Sequence, residues 1–136
     1  MIPKPVKNLA KKLYSVFEML RDSSDFPESG THKLLQEKDA DFFSERTAEE
    51  FKELEGCADG SHRHSDDFET DFLLESSQVF YWLALAFVAQ QKSFEEFLTE
   101  AADALERLEK LHAENNIPIQ KIFEKDLADC KEKGYI

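Results

Sequence analysis

Glycine and proline are scarce in this chain, at four each in 136 residues, and runs of β-branched residues are few. That scarcity argues against a sheet protein built on tight turns and favours helices joined by short connections. The longest continuous apolar run is Val79 to Ala89, about half the length that a bilayer requires, and glutamines flank it. The lysines at 4, 7, 11 and 12 are followed by no continuous apolar core, so no signal peptide is expected. Cysteine is limited to Cys57 and Cys130, without metal-ligand spacing, which reads as free thiols in a soluble, cytoplasmic protein. Basic residues are short in one region. Between Asp22 and Gln78 there are 17 acids against 5 bases, so this stretch holds the whole formal charge of −12 and the remainder is neutral. Such a balance excludes a nucleic-acid polymer as the natural partner, because phosphate backbones are held by Lys and Arg. It suits a chain that recruits divalent cations, or one that merely carries a solvated acidic face.

Residues 1–136 read as a single domain with no internal repeat, low-complexity tract or linker. After Pro3 and Pro5, Val6, Leu9, Leu13, Phe17 and Leu20 recur at helical spacing. A loop from Ser24 to Gly30 leads to a short helix or turn at Thr31. Asp39 or Asp41 caps a long helix with an apolar stripe of Phe43, Thr47, Phe51 and Leu54, and Gly56 is expected to end it. A loop from Gly56 to Ser65 then precedes a central helix capped by Asp66 or Asp67. Ser93-Phe-Glu-Glu96 is a capping box that opens a helix reaching about Asn115. A last helix carries Ile119, Ile122, Phe123, Leu127 and Cys130 inward and stops at Gly134. The expected fold is all-α, a bundle of four to five helices.

The central helix holds a conflict. From Val79 to Ala89 it is apolar on all sides, as in a helix surrounded by others. One turn earlier, Glu75 shares a wheel direction with Phe68, Val79, Trp82 and Ala86, and Gln78 and Asp71 lie on the same side. On the preceding helix stand Glu45, Glu49, Glu50 and Glu53, with Glu50 and Glu53 sharing a face. If the two helices pack antiparallel, Glu50 and Glu53 meet Glu75 and Gln78. Carboxylates within about 4 Å repel by about 4 kcal/mol per pair at an effective dielectric of 20. Either some of them protonate, or a divalent cation binds among them. Oxygen-only donors suit Mg²⁺ or Mn²⁺ rather than zinc.

Glu49-Glu50-x-x-Glu53, then 21 residues, then Glu75-x-x-Gln78, resembles the signature of the all-α nucleotide pyrophosphohydrolases, the MazG-like and phosphoribosyl-ATP pyrophosphohydrolase group. The apolar sequel Val79-Phe-Tyr-Trp-Leu83 is similar to that family's continuation, and the likeness spans roughly Phe43 to Ala89. Gln78 stands where the family has Asp; an amide oxygen ligates a hard cation more weakly and without neutralising it. The resemblance implies hydrolysis of the α–β phosphoanhydride of a nucleoside triphosphate or of phosphoribosyl-ATP, with release of pyrophosphate. It implies Mg²⁺ or Mn²⁺ held by Glu50, Glu53, Glu75 and Gln78, with Glu49 as general base or outer ligand and Glu53 also catalytic. It further implies a homodimer or homotetramer (a dimer of dimers) whose second chain covers Tyr81, Leu85 and Phe87 and helps to shape the substrate pocket, to which Tyr81 belongs.

His62-Arg63-His64 and Lys33 are candidates for contacting substrate, Arg63 because its guanidinium suits bidentate phosphate contacts. His62 and His64 also suit zinc, but no third nitrogen or sulfur ligand is evident near them in the sequence. A di-iron carboxylate bundle needs two Glu-x-x-His motifs, and only Glu109-Lys-Leu-His112 fits. The serious alternative is a non-catalytic protein that binds nucleotides, or only assembles through its helices, with a degenerate metal site.

Overall fold

Four short polar side chains mark where helices begin. Ser29, Asp39, Asp67 and Ser93 accept hydrogen bonds from the backbone N–H groups of His32, Phe42, Thr70 and Glu96 at 3.0 to 3.3 Å. Each satisfies a donor that a helix start leaves free. Glu96 returns the bond to Ser93 N–H at 3.1 Å, which completes the capping box. The computed structural model describes residues 2–136. Its seven helices are α1 (Lys4–Asp22), α2 (Gly30–Glu37), α3 (Ala40–Asp59), α4 (Phe68–Val88), α5 (Phe94–Glu100), α6 (Ala102–Glu114) and α7 (Gln120–Glu132). No strand occurs among the described residues, and no helix there is long and apolar enough to cross a membrane.

The protein is therefore all-α, with more segments than the four to five expected. The predicted single helix over 94–115 is broken at Ala101, whose φ of −97° and ψ of 15° leave helical geometry between α5 and α6. The break falls at a small, buried residue, and the apolar spacing continues through it, so it leaves no trace in the pattern. Gly56 does not end α3. The helix runs on to Asp59, and Gly60 takes the left-handed conformation (φ 89°) that stops it.

The core is organised around α4. Phe97 from α5 lies against Tyr14, Phe80, Phe87 and Phe94, with ring centroids 5.0 to 6.0 Å apart, and so joins α1, α4 and α5. The buried Tyr14 hydroxyl donates to the Lys92 carbonyl at 2.7 Å, and burial pushes its pKa up. Of the three residues that the resemblance gives to a second chain, Leu85 is buried within this one, while Tyr81 and Phe87 are half-buried. Phe87 packs on Phe97, and Tyr81 packs on Phe17 and shares a 2.6 Å hydrogen bond with Thr31. Helices α1 and α2 thus meet Tyr81, and α5 meets Phe87.

Helices α3 and α4 run antiparallel. Phe43, early in α3, stacks on Trp82, late in α4, at 6.0 Å, while Glu50 and Glu53 lie beside Glu75 nearer the connecting loop. The Phe43, Thr47, Phe51 and Leu54 stripe is buried as its spacing predicts.

Glu109 and His112 belong to neither of the groups of three side chains that could hold a metal among the described residues, so Glu109-x-x-His112 completes no di-iron centre there. The His112 Nδ1–H donates to the Ile117 carbonyl at 2.9 Å, its ring packs on Phe72, and its buried Nε2 has no partner. Burial holds its pKa below 6.5, so the folded protein keeps it neutral. Its stabilising contribution is complete above 6.5 and falls away as pH descends toward the lower folded value. Thermal melts of a His112→Leu variant are accordingly expected to fall less steeply with acidification below 6.5 than those of the wild type.

Candidate metal centre

Glu50 and Glu53 are one turn apart on α3, and Glu75 faces them from α4. One carboxylate oxygen of each lies within 4.8 Å of the others. Glu50 and Glu75 are 5% and 3% exposed, so solvent does little to relieve their repulsion. Burial and the neighbouring carboxylates, Glu53 above all, push the Glu50 carboxyl up to about 8. Glu53 is held below its ordinary value, chiefly by the hydrogen bond it receives from Glu50. Without a cation, the pair thus retains a proton on Glu50.

Arg46 forms the other wall, and the sequence reading missed it. Its guanidinium donates to Glu49 at 2.6 Å and to Glu50 at 3.3 Å, and lies over the Trp82 ring at 5.1 Å. The available signal was its place three and four residues before Glu49 and Glu50 on one helix face. Glu49 itself is exposed and lies at the rim, while Glu45 is exposed with no assigned contact to the cluster.

The loop from Gly60 to Asp67 lies back over this cluster. Asp71, 2% exposed, accepts from the His64 and Ser65 N–H groups at 3.0 and 2.9 Å and from the Ser65 hydroxyl at 2.8 Å. Those bonds, with the Ser65 N–H foremost, hold its carboxyl below the usual range. The His62 N–H donates to the Gly56 carbonyl at 3.0 Å. Held from both sides, His64 reaches Glu75 through Nε2, and His62 Nε2 stands 3.6 Å from the same Glu75 oxygen. The hydrogen bond to Glu75 raises the His64 pKa. His62, His64 and Glu75 form a second trio with donor atoms within 4.8 Å of one another. Glu75, eleven residues beyond His64, is thus the third side chain of a group that could hold a metal, with an oxygen in place of the nitrogen or sulfur sought in the sequence.

Gly56 is needed inside α3 for this arrangement. A Cβ there would lie 2.9 Å from the His62 Cβ, closer than side-chain carbons approach. The residue read as a helix stop is in fact the seat of the loop. Gly56→Ala is expected to shift His62 away from Glu75 and to lower the melting temperature by several degrees, a cost of about 1–3 kcal/mol from overpacking. Calorimetry, together with the NMR shifts of the two imidazoles, checks both effects.

The remaining candidates are dispersed. Arg63 turns from the acids: its Nε–H donates to the Cys57 carbonyl at 2.9 Å, and its guanidinium covers the Phe68 ring at 4.7 Å. Lys33 is exposed on α2. Gln78 and Tyr81 line a cavity of about 230 Å³ together with Leu74, Thr31, Ser77 and Asp126. There the Ser77 hydroxyl donates to Asp126 at 2.6 Å, and burial raises the Asp126 pKa. Cys57 and Cys130 are free and buried, and burial pushes both thiols up, Cys130 to about 11. Neither is activated as a nucleophile.

Comparison of the chain with protein-family models, curated proteins and solved structures finds no match.

Proposed function

We propose that the protein is a divalent-metal-dependent nucleotide pyrophosphohydrolase of the MazG-like type, hydrolysing the α–β phosphoanhydride of a nucleoside triphosphate or phosphoribosyl-ATP and releasing pyrophosphate. The observation that carries this reading is the meeting of Glu50, Glu53 and Glu75 within 4.8 Å on facing helices, with two of the three buried. These are the acids that the sequence resemblance singles out. A fold gains nothing in stability from packing them so, whereas a doubly charged ion removes the repulsion. Mg²⁺ or Mn²⁺ fits oxygen donors of this kind.

A cation held by Glu50, Glu53 and Glu75 would supply charge neutralisation for phosphate oxygens and acidity for a water molecule, and Gln78, which lines the neighbouring cavity, would join as a weaker donor only by turning from that wall. The chain's own residues do the rest. Glu50, protonated in the absence of a cation, would release that proton to solvent in order to serve as a ligand. Glu49, exposed beside the cluster and oriented by Arg46, takes the proton of the attacking water. Glu53 orients that water in addition to ligating. Of the proposed substrate contacts, His62 and His64 stand at the cluster, Arg63 and Lys33 would reach a substrate there only by leaving their present positions, and Tyr81 is on the wall of the neighbouring cavity. Homodimer or homotetramer assembly and a cytoplasmic location belong to the same reading. Light scattering tests the first against a chain mass of 15.7 kDa.

The deciding experiment is a pyrophosphate-release assay over a broad nucleotide panel, phosphoribosyl-ATP included, with Mg²⁺ or Mn²⁺. Release from at least one substrate is expected, and Glu53→Gln should abolish it. Silence across the panel, with no metal-dependent thermal shift, favours the non-catalytic alternative.

A further inference from the structure

The acid trio accounts for Glu50, Glu53 and one side of Glu75. It does not account for the two imidazoles aimed at Glu75 from the loop. The His62 and His64 rings meet edge to face at 4.8 Å, and both present Nε2 to the same Glu75 oxygen. One hydrogen bond explains His64. Nothing explains His62, whose Nε2 is buried without a partner and is too far from Glu75, at 3.6 Å, for a hydrogen bond. Donors that share a tetrahedral metal with bonds of 2.0–2.1 Å stand roughly 3.3 Å apart, close to the His62–Glu75 spacing. The backbone is arranged in advance: Asp71 fixes the loop at His64 and Ser65, the Gly56 carbonyl fixes it at His62, and the bare Gly56 gives the His62 side chain room.

We propose that His62, His64 and Glu75 form a second, mixed imidazole–carboxylate cation seat, selective for a transition metal such as Mn²⁺, Co²⁺ or Zn²⁺, which shares Glu75 with the oxygen-only seat of Glu50 and Glu53. Imidazole nitrogen favours these ions over Mg²⁺, so the two seats differ in chemistry while touching through one carboxylate. Three protein donors leave a coordination position open to a ligand from solution, such as a phosphate oxygen. On binding, His64 draws back from its close hydrogen bond to Glu75, and the orphaned His62 Nε2 acquires a partner. The proposal deepens the hydrolase reading, on which its catalytic meaning rests; its test reads metal coordination and needs no substrate.

The test uses the whole chain with Mn²⁺ alone, followed by electron spin-echo spectroscopy, and titration with Zn²⁺ and with Mg²⁺. Nitrogen hyperfine couplings to bound Mn²⁺ are expected in the wild type and are lost in His62→Gln/His64→Gln. The same double variant is expected to weaken Zn²⁺ binding by at least about 100-fold, since even outer-shell changes cost 10–100-fold, while Mg²⁺ binding changes little. Bound Mn²⁺ without nitrogen couplings places the ion among the acids alone and overturns the mixed seat, leaving the hydrolase reading intact. Absence of any Mn²⁺ or Zn²⁺ binding overturns the mixed seat as well, and with it the metal on which the hydrolase reading depends. Pyrophosphate release with Mg²⁺ and no nitrogen coupling separates the two failures.

Discussion

Replacing Glu75 by Gln is expected to remove metal binding and pyrophosphate release together, with activity falling by at least about a thousandfold, the scale on which single electrostatic groups act in such sites. Glu75 is the one side chain common to both trios, and it is 3% exposed. Glutamine keeps the shape and one oxygen but removes the charge, so α3 and α4 still pack while the cation loses its central ligand. Titration with Mn²⁺ followed by calorimetry reads binding; the pyrophosphate assay reads chemistry. Conservation of both would remove Glu75 from the site. Loss of release with binding intact would move it from metal ligand to substrate contact.

Glu50→Gln is expected to have the opposite effect on the metal-free protein. In chelator at alkaline pH, the variant should melt about 3–6 °C above the wild type, the shift that roughly 1 kcal/mol produces in a domain of this size. The direction follows from the Glu50 carboxyl, whose folded value of about 8 lies far above its ordinary 4.5. Its contribution to stability is fully present below 4.5 and is lost as pH rises through about 8, where the folded chain must give up the proton among Glu53 and Glu75. A glutamine has no proton to lose. The variant's advantage therefore shrinks on acidification, and it shrinks also when Mg²⁺ or Mn²⁺ is added to the wild type. Melting curves across that pH range, with and without cation, measure both dependences. Equal melting temperatures at alkaline pH would show that Glu50 is already compensated, by Arg46 at 3.3 Å.

Glu75 also stands in a core stripe, but its surroundings differ from those of Glu50. Glu75 has His64 against it, so its removal also strips a partner from the imidazole, whereas Glu50 has repulsion from two carboxylates against a longer contact to Arg46. Helical spacing showed that both acids lie near the buried face but not which of them the loop would reach.

What the sequence by itself determined is local or periodic. The Ser93 cap, the narrowing of two others to Asp39 or Asp41 and Asp66 or Asp67, the stripe of Phe43, Thr47, Phe51 and Leu54, and the shared face of Glu50 and Glu53 follow from a repeat of 3.6 residues and from the hydrogen bonds that helix ends require; the structure chose Asp39 and Asp67. Antiparallel packing of two helices joined by a short loop then places Glu75 opposite the acids. What only the tertiary structure decided depends on residues meeting without a periodic relation. The break at Ala101, the bond of Tyr81 to Thr31 on α2, the closing of Arg46 over Trp82 and the turning of His62 and His64 onto Glu75 are of this kind. Gly56 combines the two cases: as a letter it reads as a helix stop, and in space it is the gap into which the His62 side chain fits. A loop's path depends on where its anchors lie in three dimensions, here Asp71 and the Gly56 carbonyl, and no spacing along the chain encodes that distance.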